Sequence, residues 1–449
     1  MSPPRVDVLI IGGGPAGACA AIDLARRGYQ VSILEKAHHP RFHVGESLLP
    51  NLHPLFDDLG LTETLDRVPK VVKRGAEIVH AGQRGTGTLL NFDVGRPWGR
   101  TETFNAERAV LDKALLDHAA AQDGVTLYEG VSVDGVDRLA DGDCRLQTSA
   151  GPMEARLVFD CSGQQTVLGR SLGLKQTLAH HRRVAFLGHF RGVDRLDGDA
   201  RGHITLVMAD DGWFWAIPID EERTSIGLVV HTSVAADMRR RGVPTGGELA
   251  WAIERTPCLA RRTAGATFPE ACRTAADFSY TCSPGADDGY LMVGDAEAFL
   301  DPVFSSGMYL AVASARDAAY AADRILRGQA PDDARRRFLR QGAERRRFFS
   351  HYINLYYSHP FREMLLHGTG PLGVHRALIA VLSGRSERLP LGMRWRLKLL
   401  DTFHQRQRAQ PPGRTPVPGR EGWSILDSTA TPRERAIDSL EAITGVAAA

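Results

Sequence analysis

Long apolar runs are missing from this 449-residue chain, and no stretch is long enough to span a bilayer. Cysteine is scarce: Cys19, Cys144, Cys161, Cys258, Cys272 and Cys282 form neither a Cys-x-x-Cys pair nor a Cys/His metal spacing. Such scattered thiols fit a reducing compartment better than a disulfide scaffold. A charge excess is missing too. Lys and Arg number 55 against 53 Asp and Glu, and the resulting +2 calls for neither nucleic acid nor an anionic membrane. The first strand-like run begins by Val6, which leaves no room for a signal peptide, so the expected address is the cytoplasm. No internal repeat is present, and the length predicts about two or three domains.

The stretch from Val6 to Glu35 organises the rest. An apolar run, Val-Asp-Val-Leu-Ile-Ile, precedes Gly12-Gly13-Gly14-Pro15-Ala16-Gly17, and a small-residue apolar run follows. This pattern predicts strand, tight turn and helix, with Gly28 ending the helix and Val31 to Leu34 forming a second strand that leads to Glu35. Gly12 permits the turn, Gly14 lets the backbone approach a pyrophosphate, and Gly17 lets the helix pack close to the strand. The phosphates of a dinucleotide then meet the unpaired amides of the helix N-terminus. Glu35 stands where a carboxylate accepts both ribose hydroxyls and repels a 2′-phosphate. A bare glycine motif is weak, but here both strands, the helix and the acid all stand at the required spacing.

Farther along, a helix is expected over Leu52 to Leu59, strands over Val71 to Val79 and Leu89 to Phe92, and an amphipathic helix over Ala109 to Ala121. Short strands are expected at Val125 to Tyr128, Val131 to Val133 and Ala155 to Asp160, then a strand-rich section from Val184 to Val230. Tyr290 to Val293 predicts a buried strand that leads, through Gly294-Asp295-Ala296, to a helix from Ser306 to Leu326. Asp332 to Phe349 is arginine-rich at helical spacing. Gln405 to Arg420 is dense in Gln, Arg, Pro and Gly and is expected to be irregular. Thr431 to Ile443 is expected to be a last helix, with Pro432 in its first turn.

Two further stretches carry chemistry. In Gly294-Asp295-Ala296 to Ser305-Ser306-Gly307, an acid at a strand end can bind a ribityl chain, and the helix that follows can point amides at a pyrimidine edge. A simpler reading makes Ser305 or Ser306 an ordinary helix cap. Together with the first glycine turn, this stretch resembles the FAD-binding fold of the aromatic-hydroxylase superfamily. The other stretch is Asp211-Gly212-Trp213-Phe214-Trp215-Ala216-Ile217-Pro218, where a strand sends Trp213, Trp215 and Ile217 to one face and Phe214 and Ala216 to the other. An aromatic stripe on a strand is ordinarily core. The Trp-x-Trp-x-Ile-Pro pattern, however, resembles the signature of the flavin-dependent halogenases. So do Pro40-Arg41 to Leu49-Pro50 and Lys73-Arg74-Gly75-Ala76, and the resemblance runs from residue 1 to about 330.

The resemblance implies an α/β fold: a Rossmann-like FAD-binding domain of the glutathione-reductase and aromatic-hydroxylase type, an interleaved sheet-rich substrate domain, and a C-terminal helical region. The expected FAD-binding domain is discontinuous, at 1–80, 101–183 and 285–330; the substrate domain takes 81–100 and 184–284, and the helical region 331–449. The resemblance assigns cofactor contact to Gly12, Gly14, Ala16, Gly17, Glu35, Lys36, Arg41, Ser47, Arg108, Val133, Asp295, Gly307 and Met308. It places a halide, chloride or bromide, at Ser306 and Gly307. Reduced FAD, supplied by a separate NAD(P)H-dependent flavin reductase because the chain has no second dinucleotide fingerprint, converts halide and oxygen to hypohalous acid. The resemblance further implies an internal tunnel that leads the acid to Lys73, to be held as a hydrogen-bonded acid or a haloamine. It also implies that Trp213 and Trp215 keep organic substrate from the flavin.

One departure bears on the substrate. Tryptophan halogenases carry a glutamate where this chain has Phe304, and losing that general base points to an already electron-rich phenol or pyrrole, free or tethered to a carrier protein. Competing readings are an FAD-dependent hydroxylase, a geranylgeranyl-reductase-like flavoprotein, and a non-catalytic flavin-binding regulator. Both enzymatic alternatives predict that Lys73 is dispensable. No metal, nucleic acid or membrane span is expected.

Overall fold

The strand Val6–Ile11 is the centre of the first of two units into which the chain divides. A computed structural model describes residues 5–83, 85–96, 100–177, 182–268, 272–276, 279–367, 371–387, 389–408 and 423–426. The first unit comprises residues 1–69, 107–179 and 279–351; the second comprises 70–106, 180–278 and 352–449. Residues 70–80, assigned from sequence to the FAD-binding part, thus group with the second unit.

In the first unit, Val6–Ile11 lies between Val31–Glu35 and Gly151–Asp160, parallel to both, and Val125–Glu129 and Tyr290–Met292 extend the parallel sheet on either side. Parallel strands buried on both faces read as near-continuous apolar runs, as these do. Val8 to Ile11 are at most 4% exposed, as is each residue of Val31–Glu35. The helix Pro15–Arg26 crosses between the first two strands; Arg27 caps it and Gly28 follows at φ +87°. The helix expected over Ala109 to Ala121 is Arg108–Ala120, so Arg108 is its first residue instead of preceding it. The segment expected as a strand at Val131 to Val133 pairs only from Val133, in Val133–Arg138, against Cys144–Thr148. The long helix Gly307–Leu326 begins one residue after its expected start.

The second unit is built on a seven-stranded sheet in the order 273–276, 183–191, 223–231, 212–218, 204–208, 75–80, 88–91. Its one parallel pairing joins Ile204–Met208 to Gly75–His80. Phe214 and Ala216 join Val207, Leu228 and Val230 in the core on one face. Within this sheet, the buried Glu77 carboxylate accepts hydrogen bonds from Arg262 (two, each 2.8 Å) and from Thr205 Oγ1 at 2.8 Å.

The single strand expected over Val71 to Val79 is broken at Arg74. Val71–Lys73 pairs with Thr103–Asn105 in a separate two-stranded ribbon, whereas Gly75–His80 enters the large sheet. Gly75 marks the change of partner, since a Cβ there would stand 2.5 Å from the Leu90 carbonyl oxygen. The expected helix Leu52 to Leu59 is a 3-10 turn, Pro50–Leu52, followed by the α-helix His53–Asp58.

The C-terminal helices are Pro331–Tyr356, His359–His367, Val374–Leu382 and Leu391–Arg408. The last of these makes residues 405–408 helical, contrary to expectation; the remainder of the expected irregular stretch, and the expected helix Thr431 to Ile443, lie outside the described residues. The short piece Trp423–Leu426 docks within the second unit. Asp211 accepts hydrogen bonds from Ser424 Oγ and from the Ile425 and Leu426 amides at 2.8–3.0 Å, and Ile425 is fully buried in the sheet core. No described helix is long and apolar enough to cross a membrane.

Candidate active site

The glycine turn of the first unit has the shape that its residues predict. Gly12 lies at φ +103°, and a Cβ there would stand 2.6 Å from the Cys161 carbonyl oxygen. At Gly17 a Cβ would stand 2.0 Å from the Gly12 carbonyl oxygen, so only glycine lets the helix seat against the turn. Gly14 caps the helix without a side-chain hydrogen bond, which leaves first-turn amides for an anion. Glu35, 4% exposed, accepts from the Gly13 amide at 2.8 Å and the Ala37 amide at 2.9 Å, and is thereby fixed at the strand end. Its carbonyl accepts from the Val131 amide at 3.0 Å, which brings Val133, two residues on, toward the same strand end. Lys36 is exposed.

Arg108 is held by a group that reading the sequence missed. Its Nε and Nη2 donate to the two carboxylate oxygens of Asp112 at 2.7 and 3.0 Å, and Nη1 donates to the Val44 carbonyl at 2.9 Å. Asp112 is fully buried, and Arg41 approaches it at 3.6 Å. The signal was legible as an Arg/Asp pair at i and i+4 on a helix. Burial opposes the Arg108 charge, but Asp112 more than compensates and raises its affinity for the proton. Ser47 is buried in the same loop, which must turn at Gly45 (φ +109°), where a Cβ would stand 2.9 Å from Arg108 Nη1.

Gly294 brings the second motif to the first: a Cβ there would stand 3.5 Å from Ala16 Cβ. Its own burial pushes the Asp295 carboxyl up to about 7, against the opposing pull of Arg108. Ser306 sits at the cap position of Gly307–Leu326 and is 2% exposed, yet its side chain makes no capping hydrogen bond. The cap reading is therefore not what the structure adopts; Asp301 instead caps the short turn Pro302–Phe304 by accepting from the Val303 amide. Met308 is buried in the first turn of the long helix.

In the second unit, Lys73 ends its short strand opposite Thr103 and is 1% exposed, with Nζ 5.4 Å from the centre of the Phe92 ring. Burial pulls its amine down to about 7. Its neighbouring cations are placed differently. Lys70 is half-buried over Phe104, and exposed Arg74 pairs with Glu102 and Asp199, each at 3.4 Å.

The strand Gly212–Pro218 alternates as predicted, and Trp213 and Trp215 take the face opposite Phe214 and Ala216. Their rings are 5.9 Å apart. Trp213 Nε1 donates to Tyr357 Oη at 2.9 Å, and Trp215 Nε1 to Ser225 Oγ at 3.1 Å, so both indoles are anchored at their polar ends.

A family model described as FAD binding domain matches residues 5–351, so the chain belongs to that FAD-binding family. The residues present fit the cofactor: Gly12 and Gly17 of the glycine turn admit no Cβ, and the helix start above it carries no side-chain cap. Within this family the chain belongs to the flavin-dependent halogenases. It is 30% identical to the 1H-pyrrole-2-carbonyl-peptidyl-carrier-protein chlorinase of Pseudomonas fluorescens, over 70% of this chain and 75% of that protein. It is 31% identical to the tryptophan 2-halogenase of Chondromyces crocatus over 73% of this chain, spanning only 63% of that relative's length. For the solved flavin-dependent brominase Bmp2 the TM-score is 0.78 at 25% identity, covering 91% of this chain and 100% of that one. For the flavin-dependent halogenase CmlS the values are 0.74 and 29%, covering 92% and 74%.

Proposed function

We propose that this chain is an FAD-dependent halogenase in which Lys73 presents hypohalous acid to an electron-rich aromatic substrate. The observation that carries the reading is the burial of Lys73. A lysine with almost no exposed surface and a proton affinity brought down to about 7 is set apart from its solvated neighbours. When bound and reduced, FAD supplies with oxygen the oxidising power that turns a halide into hypohalous acid. In low-dielectric surroundings an ammonium donor at Lys73 polarises the oxygen–halogen bond far more than it does in water.

The remaining assignments support this reading. Gly12, Gly14, Ala16 and Gly17 hold the pyrophosphate on the helix start, Glu35 takes the ribose, and Val133 borders the adenine. Arg108, fixed by Asp112, and Asp295 face the flavin, with Lys36, Arg41, Ser47 and Met308 around it. Ser306 and Gly307 offer backbone amides to the halide. Trp213 and Trp215, tied down through Tyr357 and Ser225, form a rigid aromatic wall that keeps organic substrate from the flavin. A separate NAD(P)H-dependent reductase supplies the reduced flavin.

The substrate class is a phenol or pyrrole, free or carried on a protein. Phe304 stands where the tryptophan halogenases have glutamate, and relatives named for pyrrolyl carrier-protein substrates are among the halogenases matched. The test is incubation with a flavin reductase, NADH, oxygen and bromide over a panel of phenols, pyrroles and tryptophan. Mass spectrometry should show the bromine isotope pair with the native chain and lose it in Lys73→Met, which keeps FAD. Hydroxylated product without bromine, or full bromination by Lys73→Met, would overturn the reading.

A further inference from the structure

The second unit buries a histidine close to Lys73 that nothing above employs. His203 immediately precedes the strand Ile204–Met208, and its amide donates to the Ala200 carbonyl at 2.8 Å. The side chain is 4% exposed, and neither Nδ1 nor Nε2 has a hydrogen-bond partner among the described residues. Its ring lies on Gly75, two residues after Lys73, where a Cβ would stand 2.9 Å from Cε1.

The backbone just before His203 is tied to the Lys73 ribbon. At Gly202 a Cβ would stand 1.9 Å from the Val72 carbonyl oxygen, so the His203 turn rests directly on the chain next to Lys73. Lys73 and Thr103 are cross-strand partners, as are Val71 and Asn105, which puts Lys73, Thr103 and Asn105 on one face of the ribbon. Asn105, fully buried, donates through Nδ2 to the Gly202 carbonyl at 2.9 Å, and its Oδ1 has no partner among the described residues. Polar atoms buried unpaired are destabilising, and a catalytic role is one reason that proteins retain them.

We propose that His203 accepts the proton displaced from the aromatic substrate halogenated at Lys73 and then returns it to the Lys73 amine. The proposal rests on the halogenase reading above. As the carbon–halogen bond forms, the oxygen–halogen bond of hypohalous acid breaks and its electron pair stays on oxygen. That oxygen takes a proton from the Lys73 ammonium and leaves as water. The ring carbon releases its proton to the lone pair of the neutral imidazole, and the C–H electrons restore the aromatic system. The imidazolium then protonates the Lys73 amine, so both side chains end as they began. The sum is aryl–H plus hypohalous acid giving aryl–halide plus water.

The electrostatics favour this order. Burial first, then the charge of Lys73 and that of Arg74, pull His203 down to about 4, against opposing contributions from Glu77 and Asp199. The ring is therefore neutral at pH 7 and keeps one acceptor nitrogen. When Lys73 is neutral its share of that lowering lifts, but burial, the largest cause, still leaves the imidazole a weaker base than an amine near 7. It still suffices to deprotonate a ring-protonated cation, which is a far stronger acid.

The test uses the full chain with reductase, NADH, oxygen and bromide, and phenol in ring-protiated or ring-deuterated form as probe. His203→Leu is expected to retain FAD and to brominate about a hundredfold more slowly, the usual scale of general-base loss. It should also show a primary isotope effect that the native chain lacks. An undiminished rate, or a slow rate without the isotope effect, would overturn the proposal. A second readout needs no turnover: NMR titration of the His203 ring in the FAD-free chain should move to higher pH in Lys73→Met. An unmoved titration would overturn the proton exchange while leaving the halogenase reading intact. Retained bromination by Lys73→Met would sink both.

Discussion

Trp215 and Gly227 are cross-strand partners, and a Cβ on Gly227 would stand 2.1 Å from the indole. The seat of the Trp215 indole thus depends on a residue with no side chain of its own. Gly227→Ala is expected to force the indole off its rotamer and to cost about 1–3 kcal/mol, the range for overpacking a filled core. Urea unfolding checks the stability, and a red shift of tryptophan emission checks the displacement. An unchanged midpoint and spectrum would show that the indole has room to move.

Lys73 makes stability depend on pH in an unusual sense. Burial lowers its affinity from 10.5 to about 7, so between those values the unfolded chain binds more protons and stability rises with pH. The penalty is complete below about 7 and gone above about 10.5. Lys73→Met is expected to be more stable by a few kcal/mol at about pH 6, with the gain shrinking toward zero near pH 10.5. Denaturant melts at both ends of this window decide the matter.

Activity should follow the opposite slope. If the ammonium is the working form, halogenation falls as pH rises through about 7, where Lys73 loses its proton. Single-turnover bromination with pre-reduced FAD separates this limb from the reductase. A rate that instead climbs through the same region would favour a haloamine on the neutral amine.

Asp112 holds Arg108 by a bidentate pair at a fully buried position. Asp112→Ala leaves a buried guanidinium short of its counter-charge, a change that costs about 3–5 kcal/mol in such pairs. Weakened FAD retention is expected alongside the lower melting point. Arg108→Met with Asp112→Leu should recover much of the stability but not the FAD affinity, which separates scaffold from cofactor contact.

Gly17 admits no methyl group, because the Gly12 carbonyl oxygen would lie 2.0 Å from it. Gly17→Ala should lift the helix start from the turn and weaken FAD binding at least tenfold, or about 1.4 kcal/mol, as read by fluorescence quenching.

The parts of the molecule legible in sequence are those whose local chemistry and long-range role coincide. The first glycine turn, Glu35 at a strand end and the alternation of Trp213, Phe214, Trp215 and Ala216 follow from periodicity and from φ requirements at single residues. The break at Arg74 was not read, although Gly75 offered a signal, because the apolar residues at both ends of Val71 to Val79 read as one strand. Only the choice of partner, Thr103 to Asn105 on one side and Ile204 to Met208 on the other, separates the two halves. His203 and Asn105 carried no signal for the same reason. Each is an ordinary polar residue until the turn at Gly202 packs on the ribbon, where Asn105 bonds the Gly202 carbonyl and His203 lies against Gly75.

Trp423 to Leu426 gives the second unit a clasp far beyond its last long helix. Because Ile425 fills the sheet core and Asp211 holds Ser424, Ile425 and Leu426, the packed second unit reaches at least to Leu426 and does not stop at Arg408. A protein trimmed at the end of that helix would open the sheet core to water at the foot of the strand that carries both tryptophans.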